Sequence, residues 1–280
     1  MDERIKQIEM VVSDLDDTLV RSDKRISDDT KRVFGECVKR GIRTAFATAR
    51  LAVSTLLEEQ ELKPNIRIVS NGGMVLEGGK VVLFHAMDGK ELGRFLHRLI
   101  QLKAQGIYVG CREQVYTNSE SFRCSRTLKQ SVYCDLQEPL KEEACQVFFR
   151  IREREKAEEL QKEFSFFSWV CYRDGTYAVM APGVSKAKAL LEIAYRYGIS
   201  PDRIAAFGDD EGDLEMLQVC GVGVAMGNAL PYVKAGAAYV TKSNEEDGVA
   251  WFIDRYILGK GEKRDGQNDH NGSGSDNAKE

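Results

Sequence analysis

The chain has 280 residues, 42% hydrophobic and 30% charged, a length that supports one large domain or two unequal ones with buried cores. Its formal net charge of −4 gives no general basic footprint for nucleic acid or a membrane surface. No apolar run reaches the ~18 residues of a membrane span.

The opening residues Met1-Asp2-Glu3-Arg4 carry no secretory pattern. Seven cysteines, an odd number, are scattered without CxxC spacing, so a reduced, cytoplasmic setting is expected. Cys37, Cys145 and Cys171 lie in apolar stretches and read as small core residues.

In chain order, residues 8–13 form an apolar run that stops abruptly at Asp14-Leu15-Asp16-Asp17-Thr18, the mark of a buried strand. Ser27 is a helix cap; Val33, Phe34, Cys37 and Val38 share one face, and Gly41 ends the helix. A second strand covers 42–47, followed by a helix carrying Val53, Leu56 and Leu57. A third covers 66–69 and closes at Asn71-Gly72-Gly73. Alternating strands and helices predict a parallel sheet covered on both faces.

The rhythm then changes. Residues 74–76 and 80–84 flank Gly78-Gly79 as a hairpin, and a helix near 92–102 places Leu92, Phe95, Leu96 and Leu99 together. Strands are expected over 107–111, 115–117 and 146–151, with a charged helix over 153–163. A second hairpin, 165–172 with 176–180, turns at Asp174-Gly175. Antiparallel strands with two helices predict a separate α+β unit inserted over 83–181. After Pro182-Gly183 the α/β pattern returns, with a helix over 186–197, strands over 203–207, 222–225 and 238–241, and a last helix over 247–257. The expected architecture is therefore α/β: a Rossmann-like parallel-sheet core from 1–82 and 182–258, a smaller inserted unit, and a polar, disordered tail over 259–280.

Open parallel sheets bind ligands outside the carboxyl ends of their strands. There the first strand delivers Asp14 and Asp16, the second Thr48, the third Asn71, and the first after the insertion Asp209, Asp210 and Asp213. Either acidic segment alone reads equally as a solvated turn or a helix start. Two of them, each after a buried strand, point to a shared site. Gathered carboxylates repel, and oxygen donors without histidine or cysteine select Mg²⁺. A carboxylate can attack phosphorus, and a second one two residues on can move the proton. Thr48 is a strand terminus or a hydroxyl donor to phosphate at a helix start. Lys186, one residue past the cap Ser185, is a cation where the helix dipole disfavours one, so an anion nearby would offset it. Lys188 should point away from the sheet edge.

Together these segments resemble the haloacid dehalogenase superfamily. Asp14-Leu15-Asp16-Asp17-Thr18-Leu19 is similar to its first motif, Thr48 to its second, Lys186 to its third, and Gly208-Asp209 with Asp213 to its fourth. Ala47-Thr48-Ala49-Arg50, Ser70-Asn71-Gly72, residues 223–229 and Asp247-Gly248-Val249-Ala250 resemble the Cof-type subgroup, the IIB-like phosphatases. The resemblance covers about residues 8–258 and implies a Mg²⁺-dependent phosphatase working through an aspartyl-phosphate. It makes Asp14 nucleophile and metal ligand, and Asp16 general acid/base with its carbonyl on the metal. Asp209 is implied as a direct ligand and Asp213 as a supporting carboxylate, while Leu15, Thr48, Ala49 and Lys186 hold the phosphoryl group. Arg50, Asn71, Gly72 and Asn228 are expected near the substrate.

Two departures stand out: Gly212 where the subgroup usually has a phosphate-binding Asn, a task that could shift to Asn228, and Ala49 where Gly is commoner. The insertion matches the subgroup's cap, which would read the leaving group with residues such as Tyr116, Arg123, Arg126, Tyr172 and Arg173; Tyr133 and the Met87-Asp88 turn are weaker candidates. The expected partner is a small phosphorylated metabolite (a sugar phosphate, nucleotide or vitamin phosphate), with no nucleic acid or membrane, acted on by a monomer or homodimer. A phosphomutase or phosphotransferase on the same site, and a non-enzymatic phosphate sensor, are the competing readings.

Overall fold

The structure is a computed structural model that describes residues 3–119, 131–172 and 174–259. Arg123, Arg126, Arg173 and the tail from residue 260 onward lie outside the described residues.

β1 (Met10–Ser13) is buried at every position, so it needs a strand on each edge and cover on both faces. α1 (Asp28–Lys39) supplies part of that cover: Ser27 accepts from the Thr30 N–H at 3.0 Å, and Val33, Phe34 and Cys37 face inward. β2 (Arg43–Ala47) follows. Past it the chain makes a 3₁₀ turn over Ala52–Thr55 before α2 (Leu56–Leu62). The apolar face expected from Val53, Leu56 and Leu57 is not the buried one. Leu56 and Leu57 are 48% and 70% exposed, whereas Leu51, Thr55 and Leu62 are buried. The 3₁₀ turn advances 120° per residue instead of 100°, which rotates the following helix out of the expected phase.

β3 (Ile66–Val69), β4 (Met74–Glu77) and β5 (Lys80–Phe84) complete this half of the sheet. Gly78 and Gly79 both take positive φ, as a two-residue hairpin turn between right-twisted strands requires. Met74 pairs with Phe84, so the first sheet runs through Phe84, two residues past residue 82.

The inserted segment contains α3 (Gly89–Gln101), β6 (Gln105–Cys111), β7 (Val115–Thr117), β8 (Val132–Tyr133), β9 (Ala144–Arg150), α4 (Arg154–Glu163), β10 (Ser168–Cys171) and β11 (Thr176–Met180). Its six strands run in the order β10-β11-β9-β6-β7-β8, antiparallel except β7 with β8. Leu92, Phe95, Leu96 and Leu99 of α3 are buried as their spacing predicts. Phe95 meets the rings of Phe149, Phe164, Phe167 and Trp169 edge-on at 5.0 to 5.8 Å. Cys37 and Cys145 are core residues, but Cys171, at the end of β10, is exposed.

The chain then returns to the first sheet through α5 (Lys186–Arg196), β12 (Ile204–Gly208), α6 (Glu211–Val219), β13 (Val222–Ala225), α7 (Pro231–Gly236), β14 (Tyr239–Val240) and α8 (Gly248–Phe252). The eight strands lie in the order β14-β13-β12-β1-β2-β3-β4-β5, parallel from β14 to β3. The chain winds outward from β1 through β2 and β3, then resumes on its other side with β12, making β1 the topological switch point. Among the described residues no helix is long and apolar enough to cross a membrane.

Candidate active site

Strand register brings the site together. Ser13 pairs with Phe46 on one side and Phe207 on the other, so Asp14, Ala47 and Gly208 come level, with Thr48 and Asp209 one residue beyond. The loop after Asp14 turns back sharply, Leu19 and Val20 both donating to the Leu15 carbonyl. That turn swings Thr18 across to Asp209, where its hydroxyl donates to Oδ1 at 2.7 Å.

Lys186 is the first residue of α5, whose cap Ser185 accepts from the Lys188 N–H. Its ammonium donates to Asp14 Oδ1 at 2.6 Å and to Asp213 Oδ1 at 2.8 Å, with all three side chains almost wholly buried. Here are the anions that offset a cation at a helix start; Lys188 is exposed. The second oxygen of Asp213 accepts from the Asp209 and Asp210 N–H groups at 3.1 and 3.2 Å. A Cβ at position 208 would lie 2.4 Å from the Asp213 side chain, so Gly208 is required for that approach.

Carboxylate oxygens of Asp14, Asp209 and Asp213 lie within 4.8 Å of one another. One ammonium does not neutralise three carboxylates. Burial opposes the charge on Lys186, but Asp14 and Asp213 more than offset it and raise its pKa above the ordinary value. Burial pushes Asp14 well up, helped by Asp213 and Asp209 and resisted by Lys186. Burial likewise lifts Asp209 to about 7, against the Thr18 hydrogen bond and with Asp213 and Asp17 adding to it. A crowded, all-oxygen set of this kind fits a hard divalent cation. Since Asp213 has both oxygens engaged, Asp14 and Asp209 are better placed to give direct ligands.

The other expected residues divide. Thr48 is buried and pinned, its N–H on the Ile68 carbonyl and its hydroxyl oxygen accepting from the Arg50 N–H. The Asp16 carboxylate is outside the acidic trio and is gripped by Arg50 Nε at 2.7 Å and by a second guanidinium nitrogen. Arg50 also donates to Glu58 at 2.7 Å, so this guanidinium, expected near substrate, is engaged with protein carboxylates.

Asn71 donates to the Tyr172 hydroxyl at 3.2 Å and so bridges the two sheets. Gly72 serves backbone approach: at φ +95° its added Cβ would lie 2.3 Å from the Ser185 carbonyl oxygen, at the cap that sets Lys186. Asn228, expected near the substrate, has its amide engaged with the backbone. Its amide donates to the Asp17 carbonyl at 2.7 Å and accepts from the Asn244 N–H at 3.0 Å. Tyr116 is directed to Glu142. Thr18 and Glu58 were not singled out from the sequence; Thr18 sits four residues after Asp14 in the same motif, a signal that was available.

A doubly wound α/β fold with a lysine-bridged acidic trio at its switch point is the framework of a haloacid dehalogenase-like hydrolase. Residues 11–253 match the family model described in those words, and the chain belongs to that family. YitU of Bacillus subtilis (strain 168), a 5-amino-6-(5-phospho-D-ribitylamino)uracil phosphatase, is 28% identical over 284 residues, covering 89% of this chain and 97% of its own. A solved structure from Thermotoga maritima is 26% identical with a TM-score of 0.77, over 89% of this chain and 97% of that one. A haloalkanoate-superfamily phosphatase from Bacteroides thetaiotaomicron matches in fold, at 24% identity and a TM-score of 0.79, over 90% and 96% of the two chains. With its family the chain is a hydrolase acting on phosphoric monoesters.

Proposed function

We propose that this chain hydrolyses the phosphomonoester of a small metabolite, with Mg²⁺ held by Asp14 and Asp209, through an aspartyl-phosphate on Asp14. The observation that carries the reading is the buried Lys186 ammonium shared between Asp14 and Asp213 at the carboxyl edge of β1. A lysine at that point both orients Asp14 and supplies positive charge where phosphoryl oxygens would gather.

In this reading a carboxylate oxygen of Asp14 bonds to phosphorus as the bond to the leaving oxygen breaks. Asp16, held by Arg50, gives the leaving oxygen its proton. It then takes one from the water that cleaves the acyl phosphate, freeing Asp14 and inorganic phosphate. Lys186, the Thr48 hydroxyl and the N–H groups of Leu15 and Ala49 hold the phosphoryl oxygens, while Asp213 positions Lys186 and the Asp209 backbone. Mg²⁺, when bound, neutralises the charge that collects between the carboxylates and the phosphoryl group. The inserted unit, from about residue 85 to 181, acts as the cap that excludes water and reads the leaving group. The substrate named for the Bacillus relative, a phosphorylated ribitylaminouracil, is of the size this reading expects.

The test is release of phosphate from a broad panel of esters by wild type and Asp14→Asn, with Mg²⁺ and with EDTA. Turnover that needs both Mg²⁺ and Asp14 is expected. No turnover of any ester, or turnover untouched by the substitution, would sink the reading.

A further inference from the structure

A cavity of about 940 Å³ lies against the second sheet and reaches Asp210, beside the candidate site. Phe148, Tyr172 and the buried Thr176 line it, with the exposed side chains of Arg150 and Asp174 at its rim and Asp210, the neighbour of Asp209, also on its lining. The period of two along β9 explains the wall. Phe149 points into the second core, so Phe148 and Arg150 emerge on the opposite face.

Phe148 stacks on Tyr108 across the strand pair, with centroids 4.7 Å apart and planes 15° from parallel, and Tyr172 lies 5.7 Å from Phe148 on its other side. The Tyr172 hydroxyl is tied to Asn71 at the carboxyl end of β3, so this aromatic ladder runs from the cap sheet to the site edge. A half-buried phenyl ring between two tyrosines, left open to a cavity, forgoes the burial a core phenylalanine would gain. A flat ring delivered by a ligand would complete that burial.

We infer that Phe148 and Tyr172, with Tyr108 stacked on Phe148 to hold its ring in place, form a stacking site selecting phosphate esters whose leaving group carries a planar heteroaromatic ring. The inference rests on the phosphatase reading and adds the class of leaving group and the residues that choose it. Aromatic walls accept many flat rings, because every such ring offers a π face. The Arg150–Asp174 pair, 3.0 Å apart, gives the rim both a donor and an acceptor for a ring with polar edges. A linker between ring and phosphate is needed for both ends to engage at once, so linker length enters the choice of esters.

Flavin mononucleotide and ribitol 5-phosphate form a matched pair, carrying the same phosphorylated five-carbon chain with and without the ring; pyridoxal 5′-phosphate adds a shorter linker. Wild type should favour at least one ring ester over ribitol 5-phosphate by about tenfold in kcat/KM, the scale of one good stacking contact. Phe148→Leu, which keeps the position apolar, should erase most of that preference, through KM more than kcat. Equal turnover of ring and ringless esters by wild type, or an unchanged preference in Phe148→Leu, overturns the inference while leaving the phosphatase reading intact.

Turnover of none of the three, and of no other ester, overturns the phosphatase reading instead. The ring site then stands or falls on titration of wild type and Phe148→Leu with riboflavin, which carries the ring without phosphate. Binding weakened about tenfold by the substitution supports the site, and no binding to wild type rejects it. A circular dichroism spectrum and urea midpoint for Phe148→Leu separate a lost contact from a lost fold.

Discussion

At the residue scale, Lys186 carries two burdens that one substitution can separate. Lys186→Met keeps most of the side-chain volume but leaves Asp14 and Asp213 buried without their shared cation. Removing one partner of a buried charge cluster typically costs about 3–5 kcal/mol. A matching fall in urea stability is expected, partly restored by Mg²⁺, together with a loss of turnover well over tenfold that Mg²⁺ does not restore. One part of the pH dependence follows from the raised pKa of Lys186. Its contribution is complete below the unfolded lysine value of about 10.4 and is lost only as pH climbs through the higher folded value. Lys186 itself titrates outside the neutral range, but it also holds down the raised pKa of Asp14 and Asp209, so without it the folded variant keeps their protons to higher pH. The stability difference between wild type and Lys186→Met should therefore widen as pH rises from about 6 to 9, which denaturation at several pH values would check. Arg50 is a positioning residue by contrast, because it grips Asp16 and Glu58 and none of the acidic trio. If Asp16 is the acid/base group proposed above, Arg50→Gln should lower kcat by about tenfold with little change in Mg²⁺ affinity, since loosening such a group costs turnover and not metal binding. A parallel loss of Mg²⁺ affinity would show that Arg50 shapes the metal site instead.

At the scale of elements, α6 offers the clearest experiment. Gly212 sits in its first turn, and nothing lies within 4 Å of where its Cβ would be. Gly212→Asn should fold without strain and gain a few tenths of a kcal/mol, because glycine is the poorer helix former. If the added amide reaches the phosphate, as the related subgroup suggests, the inhibition constant for inorganic phosphate should fall; an unchanged constant would show that the contact is made elsewhere. The elements also show what one-dimensional pattern can carry. Strands ending in carboxylates, the capped helices behind Ser27 and Ser185, and the buried face of α3 were legible because each depends on local periodicity or a local cap. The phase of α2 was not, because a 3₁₀ turn before it leaves no mark in the spacing of Val53, Leu56 and Leu57. β8 was missed because two residues are too few for a period. Arg50 on Asp16, Asn71 on Tyr172 and the amide clamp of Asn228 join segments whose approach is set by strand register and loop path. Residue type names such partners as polar but does not choose between a substrate and another side chain.

At the scale of the whole molecule, three carboxylates from two distant segments are held together against their repulsion by the fold. A cation that binds only the assembled site must then stabilise the assembly. At a hundred times its dissociation constant Mg²⁺ should add about 2.7 kcal/mol, or roughly 5–10 °C in Tm for a chain of this size. EDTA should reverse the gain, and Asp209→Asn should largely abolish it in a thermal melt. The same topology sets an order of events during synthesis. β1 can pair with β2 as soon as both have emerged, since Met10 opposes Arg43, but its other edge waits for Ile204. Until the whole inserted unit and α5 have been made, that edge is open and Asp14 lacks Lys186, Asp209 and Asp213. Closing so long a loop is slow, and an unpaired strand edge is where nascent chains stick to one another. The strand that leads to Asp14 is thus made before the inserted unit yet gains its second neighbour only after it, so any activity that needs the acidic trio would report that late closure.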